Sequence, residues 1–143
     1  MPLSDRKVSV GLAYASGTAD RTGAAADMSG FQEIDMIVQL GAVATGGTNS
    51  IKAQGSVDAA FSTPVDIEGT NQAIADDDDS QIFVINMQNP PYRYVRVYVD
   101  KDTSNACAET VTYVQHGPGL KPVTSASATV NVESHVWPIA GTA

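Results

Sequence analysis

The sequence predicts an all-β protein: a single β-sandwich or jelly-roll domain with extended N- and C-terminal arms. Three observations lead to that class. Short segments of period-two alternation follow one another closely, turn-forming residues separate them, and no segment carries the apolar spacing of a convincing amphipathic helix. The longest segment, Tyr92-Arg93-Tyr94-Val95-Arg96-Val97-Tyr98-Val99-Asp100, organises the rest. Val95, Val97 and Val99 share one side and Tyr94, Arg96 and Tyr98 the other, and β-branched and aromatic residues suit a pleated, half-buried surface. A central strand of roughly 30 Å is expected, at about 3.3 Å per residue, with its valines in the core. Pro90-Pro91 bar it from extending backwards, because neither can donate a ladder hydrogen bond.

A chain of 143 residues fits one domain. At that size roughly 68–70% of the unfolded surface is buried, so neither a metal nor a disulfide is required to hold the fold. With no metal or nucleotide motif in the chain, no cofactor is expected. The single cysteine, Cys107, precludes an internal disulfide, and neither it nor His116 and His135 falls in a zinc-ligand spacing. With 16 acidic and 8 basic side chains the net charge is −8. Such a charge repels a phosphate backbone, so nucleic acid is not expected as a direct partner. No apolar run approaches the roughly 20 residues that cross a bilayer, and Met1-Pro2-Leu3-Ser4-Asp5-Arg6-Lys7 lacks the apolar stretch of a signal peptide. Synthesis in the producer's cytoplasm, with no membrane partner, is the expectation.

Taken in order, Val8 to Tyr14 alternates weakly. From Ala15 to Gly30 the chain is nearly all Ala, Gly, Ser, Thr and Asp with Arg21, which supplies little apolar surface and reads as an extended arm or long loop, with at most a short helix over Ala24–Met28. Next, Ile34, Met36, Val38 and Leu40 share one face of a half-buried strand, and Ile51 to Val57 alternates again with Lys52, Gln54 and Ser56 outward. Gly46-Gly47-Thr48-Asn49 lies between them, so the two are expected to form a hairpin. A short segment with Phe61, Val65 and Ile67 is interrupted by Pro64, the mark of an edge strand or covering loop. After a charged loop from Asn71 to Ser80, the run Gln81 to Met87 is apolar on both faces and reads as a buried strand. Cys107 to His116 is the last strand, with Cys107, Val111 and Tyr113 on one face. Gly117-Pro118-Gly119 stops it, its proline and following glycine suiting the centre of a type II turn. The organisation is an N-terminal strand and extended arm over residues 1–30, a sandwich body over 31–120, and an extended arm over 121–143 whose Trp137, the only tryptophan, is suited to docking.

No residue set carries catalytic chemistry. Asp76-Asp77-Asp78-Asp79 has carboxylates of the kind calcium takes, but lacks the alternating spacing and distal Glu of a calcium loop; a solvated acidic loop is the expectation. His116 ends a strand without a nucleophile motif such as Gly-x-Ser-x-Gly, and Cys107 has no cationic neighbour in sequence to lower its pKa. Gly46-Gly47 resembles a phosphate cradle only in its glycines. Tyr94, Arg96 and Tyr98 are residue types that stack bases, yet the acidic charge favours cross-strand and cation–π pairing or a protein interface instead. An enzyme is not expected.

From Phe31 to Val123 the order of features resembles the head decoration, or cement, proteins of tailed bacteriophages. The resemblance lies in Ile51-Lys52-Ala53-Gln54-Gly55-Ser56-Val57-Asp58 after a Gly-Gly turn, the acidic run, and Tyr92-Arg93-Tyr94-Val95-Arg96 followed by Asp100-Lys101-Asp102-Thr103-Ser104-Asn105. It continues in Tyr113-Val114-Gln115-His116-Gly117-Pro118, in Lys121-Pro122-Val123-Thr124 and in the tail Pro138-Ile139-Ala140-Gly141-Thr142-Ala143. It implies a virion protein on the outer surface of the matured icosahedral head, bridging major capsid proteins and associating with itself as a dimer or trimer. Arg21 in the N-terminal arm and Val136, Trp137 and Pro138 in the tail are then candidates for capsid or self contacts, and Tyr94, Arg96 and Tyr98 for a copy-to-copy interface. A head–tail completion protein and a receptor- or carbohydrate-binding β-sandwich are the alternatives.

Overall fold

A computed structural model describes residues 5–119, 125 and 129–131. Ten strands occupy them: β1 (Arg6–Gly17), β2 (Arg21–Thr22), β3 (Ala26–Asp27), β4 (Glu33–Val43), β5 (Asn49–Ser56), β6 (Val65–Asp66), β7 (Gln72–Ile74), β8 (Ile82–Gln88), β9 (Tyr94–Asp100) and β10 (Cys107–His116). No α-helix occurs among the described residues.

The strands form two antiparallel sheets. The front sheet has the order β1-β10-β4-β8; in the back sheet β9 lies between β5 and the pair β2 and β3, and β6 and β7 flank β5 on its other side. Counting β2 with β3 and β6 with β7 as interrupted strands leaves eight positions. Doubling the chain back between β5 and β6 sets β1 on β10, β2 and β3 on β9, β4 on β8, and β5 on β6 and β7. Rolling that long ladder brings β10 onto β4 and β9 onto β5, which is the jelly-roll arrangement.

The core lies between the sheets and follows the alternation in the sequence. Val95, Val97 and Val99 are fully buried, as are Ile34, Met36 and Val38 of β4 and Val111 of β10. Ile51 and Ala53 of β5 and Ile85 and Met87 of β8 belong to the same cluster. Tyr113 spans the core: its hydroxyl accepts the Val97 backbone N–H at 2.9 Å, so a front-sheet side chain supplies a back-sheet strand with a partner. Space for the ring comes from two glycines. A Cβ on Gly11 would meet the Tyr113 ring at 2.5 Å, and one on Gly23 would meet its hydroxyl at 2.3 Å.

Four expectations are corrected. Residues 15–30 are not an unpacked arm: β1 runs on to Gly17, β2 and β3 pair with β9, and Ala26 and Met28 are buried. Small residues are required here because the segment lies against the Tyr113 hydroxyl at Gly23, and backbone bonds hold it where apolar bulk does not, Gly23 N–H to Val97 O and Met28 N–H to Arg93 O. The β4 and β5 segments form no hairpin. They lie in opposite sheets, and the Gly46-Gly47 loop between them is a crossing, because β10 and β8 already flank β4 on both sides. Third, β8 is an edge strand buried on one face only, with Ile82 60% and Val84 50% exposed. Last, the left-handed residue after β10 is Gly117 (φ 64), before the proline, while Gly119 N–H bonds to Gly30 O; a type II turn would place positive φ at Gly119.

Candidate interaction surfaces

The Tyr/Arg side of β9 forms the outer face of the back sheet, and its polar groups are occupied by one another. Arg96 donates from Nε and Nη2 to Gln54 Oε1 at 3.0 and 2.9 Å, and its guanidinium lies 4.2 Å from the Phe61 ring centre. Lys52 pairs with Asp66 at 2.7 Å and sits 5.1 Å from the Tyr98 ring centre. The Tyr98 hydroxyl donates to Asp20 Oδ2 at 2.8 Å. The Lys101 backbone N–H and that hydroxyl hold the Asp20 carboxyl below the usual carboxylate range, and the same contact pushes the Tyr98 phenol up. Arg93 grips Asp27 through two bonds, keeping that carboxyl low as well, and stacks on Tyr94. These are the opposed pairs that stabilise a sheet from within.

Arg21 has an internal task. Its Nη1 lies 2.6 Å from Glu109 Oε1 and its Nη2 donates to Ala13 O. Glu109 is fully buried, and its other carboxylate oxygen lies 2.7 Å from the equally buried Lys101 ammonium, which also donates to Cys107 O. Glu109 and Cys107 belong to the front sheet, Arg21 and Lys101 to the back-sheet strands or their ends, so the triad ties the two sheets along one flank. Ala24 N–H bonding to Gly11 O stitches the same flank further down. Nothing local marks Glu109 in the sequence, where it falls in a strand of alternating Thr and Val; the opposed Lys101 and Arg21 are 8 and 88 residues away.

The remaining sequence candidates resolve individually. In the acidic run, Asp79 Oδ1 accepts Val43 N–H at 2.7 Å, Asp76 Oδ2 accepts Gly46 N–H at 2.8 Å, and Asp78 Oδ2 accepts Ala75 N–H at 2.7 Å. The run therefore caps its own loop and the crossing after β4. Among the described residues no cluster of three or more His, Cys, Asp and Glu has the arrangement of a metal site. His116 Nε2 lies 2.8 Å from Asp35 Oδ2 on the outer face of the front sheet. Cys107 is buried, which pushes its thiol pKa up and away from reactivity. Val136, Trp137 and Pro138 lie outside the described residues.

The flank opposite the stitched one is different. Here β8 ends the front sheet and the short strands β6 and β7 end the back sheet. Ile82, Val84 and Val65 (44% exposed) show apolar side chains on it. At one end of the sandwich a groove of about 480 Å³ opens between Met28, Phe31, Pro90, Pro91, Tyr92 and Arg93. The Tyr92 ring forms part of it while packed against Gly55, where a Cβ would meet the ring at 2.2 Å.

No protein-family model and no curated protein matches the sequence. Solved structures that match include two. The PBSX exported protein XepA matches with a TM-score of 0.55 at 13% identity, over 96% of this chain and 46% of that one, so the chain spans about half the length of XepA. A structure of the Bacillus endospore appendages, a family of disulfide-linked pili, matches with a TM-score of 0.48 at 9% identity, over 83% of this chain and 96% of that one. At such identities a likeness is one of fold alone; the two antiparallel sheets themselves make the chain an all-β sandwich protein.

Proposed function

We propose that this chain is a structural virion protein that binds the outside of a tailed-phage icosahedral head and cements neighbouring major capsid proteins, stabilising the expanded shell. The observation that carries the reading is the asymmetry of the body. One flank is locked by a buried charge triad and the Tyr113 bridge between sheets, while the other presents strand edges and exposed apolar side chains. A rigid block with one adhesive side is what a mechanical brace requires. The segments that resemble the cement proteins supply that rigidity: β5, the capping acidic loop, β9 and the end of β10. On this reading the protein makes and breaks no bond and needs no cofactor. Its partners are the major capsid protein and further copies of itself, as a dimer or trimer. Many copies at symmetry-related sites convert modest contacts into a stable lattice by avidity.

The test is to mix purified protein with expanded and unexpanded shells lacking it and count bound copies after sedimentation. Saturable binding at a fixed ratio of many copies per shell, preferring the expanded form, is expected. A ring of a few copies would point to a head–tail completion protein. No binding to either shell would abandon the capsid and leave a receptor- or glycan-binding domain, for which the groove at Phe31 and Tyr92 is the place to look.

A further inference from the structure

We propose that the outer edge of β8 is a strand-docking site, taking an extended partner segment in which apolar residues alternate with lysine or arginine as an added strand of the front sheet. The backbone geometry sets up the edge. Leu40 N–H bonds to Gln81 O and Asn89 N–H to Gln32 O, so the odd positions of β8 face β4 and the even positions, Ile82, Val84 and Asn86, turn their N–H and C=O groups outward. Among the described residues no strand pairs with that side. The Val84 carbonyl accepts the side-chain amide of Gln72 at 3.2 Å, a contact a docking strand can displace.

Among the described residues the other sheet edges are protected and this one is not. β1 carries two register shifts, its Gly11 carbonyl is taken by Ala24 N–H, and its Val8 N–H is taken by Ser125 Oγ. β2, β3, β6 and β7 are only two or three residues long. Short strands, bulges and covered edges are the usual defences against edge pairing. By contrast β8 pairs with β4 over an unbroken register and holds no proline and no charge in Ile82-Phe83-Val84-Ile85-Asn86-Met87-Gln88. Such an edge suits addition of a strand through main-chain hydrogen bonds, with alternate side chains giving selectivity.

Charge decides the partner. The Asp76–Asp79 run precedes β8, and Glu33 and Asp35 stand beside it on β4, each accepting the Asn86 side-chain Nδ2 at 2.6 Å. A second copy paired edge to edge would set two of these carboxylate groups against each other. A basic segment would instead be drawn in. A capsid subunit's arm is one chain of this kind, yet nothing in the edge geometry depends on the capsid reading.

The experiment uses the full chain and two fluorescein-labelled, end-capped peptides of about nine residues, matching a typical strand length. One alternates valine and lysine, the other valine and glutamate. Expected results are saturable binding of the lysine peptide at least about tenfold tighter than of the glutamate peptide, weakened by salt, and slowed hydrogen exchange at the amides of Ile82, Val84 and Asn86. Val84→Pro removes an outward N–H without breaking the β4 ladder, and Val84→Lys places a like charge on the edge. Each should weaken binding about tenfold or more; should the proline variant unfold, the lysine variant at this exposed position still decides. No binding, equal binding of both peptides, or indifference to Val84→Lys overturns the assignment. So does self-association of the free chain by analytical ultracentrifugation that Val84→Lys abolishes, which would make the edge a contact between copies.

Discussion

Lys101 and Glu109 form an ion pair at 2.7 Å with both side chains completely buried, and that pair joins the end of the back sheet to the centre of the front sheet. Buried charges are tolerated only when mutual attraction and added hydrogen bonds offset desolvation, and here Arg21 and the Cys107 carbonyl supply the additional contacts. Glu109→Gln should therefore lower stability by about 3–5 kcal/mol, since it leaves the Lys101 ammonium without its anion. Arg21→Met should have a smaller effect, because Lys101 still neutralises Glu109. Urea denaturation of the two variants checks the order, and a Glu109→Gln loss no larger than that of Arg21→Met would refute it.

Tyr113 fills a socket made by two glycines and accepts a hydrogen bond from the Val97 backbone N–H. Gly11→Ala and Gly23→Ala should each destabilise by about 1–3 kcal/mol through overpacking against the ring and its hydroxyl. Tyr113→Phe should lose a similar amount, about 1–3 kcal/mol, by stranding the buried Val97 N–H. Thermal melts measure all three, and Gly17→Ala, where nothing lies within 4 Å of the added Cβ, is the control expected to stay near wild type.

The acidic loop should behave as a set of caps. Asp79→Ala is expected to lower stability by about 1 kcal/mol and to speed hydrogen exchange at the Val43 amide. Because Asp76, Asp78 and Asp79 already accept backbone N–H groups, millimolar calcium should leave the melting temperature unchanged. A rise on adding calcium, lost in Asp79→Ala, would assign the loop to the metal instead.

Stability should fall at both ends of the pH scale. Asp20, Asp27, Asp66 and Asp102 all have carboxyls held below their ordinary values, chiefly by hydrogen bonds from Lys101, Arg93, Lys52 and Ser104. Their contribution is complete above the unfolded carboxylate value of about 3.9 and is lost as pH falls through the lower folded values. For Tyr98 and Tyr113 the folded values are raised, by the bond to Asp20 and by burial respectively. That contribution is present below the unfolded phenol value of about 10 and is lost as pH rises above it. Urea midpoints across pH at constant ionic strength should show a plateau between these limits, and Tyr98→Phe should flatten part of the alkaline limb.

Much of the body was legible in the chain. The β9 alternation, the inward Ile34, Met36, Val38 and Leu40, and the full span of β10 follow from period-two patterning, because a strand half-buried in a sandwich must alternate. Residues 15–30 were not legible: Ala26 and Gly23 are placed by backbone bonds and by the bulk of Tyr113, a residue about ninety positions away in sequence. The role of Arg21 was hidden for the same reason, since its partner Glu109 is 88 residues distant.

Local pattern fixes which face of a strand is apolar, but it carries no information about which strands become neighbours. The alternation in β4 and β5 is what a hairpin requires and equally what two facing sheets require. Rolling of the long ladder chose the second, because β10 and β8 take both edges of β4. In β8 an apolar run that suits a buried strand became an open edge, since only the order of strands determines which one is last. Alone, the sequence determined an acidic all-β sandwich with its valine core. Tertiary structure decided that one flank is locked by Arg21, Glu109, Lys101 and Tyr113 and the other left open at Ile82 and Val84, because those contacts join residues that only the fold brings together.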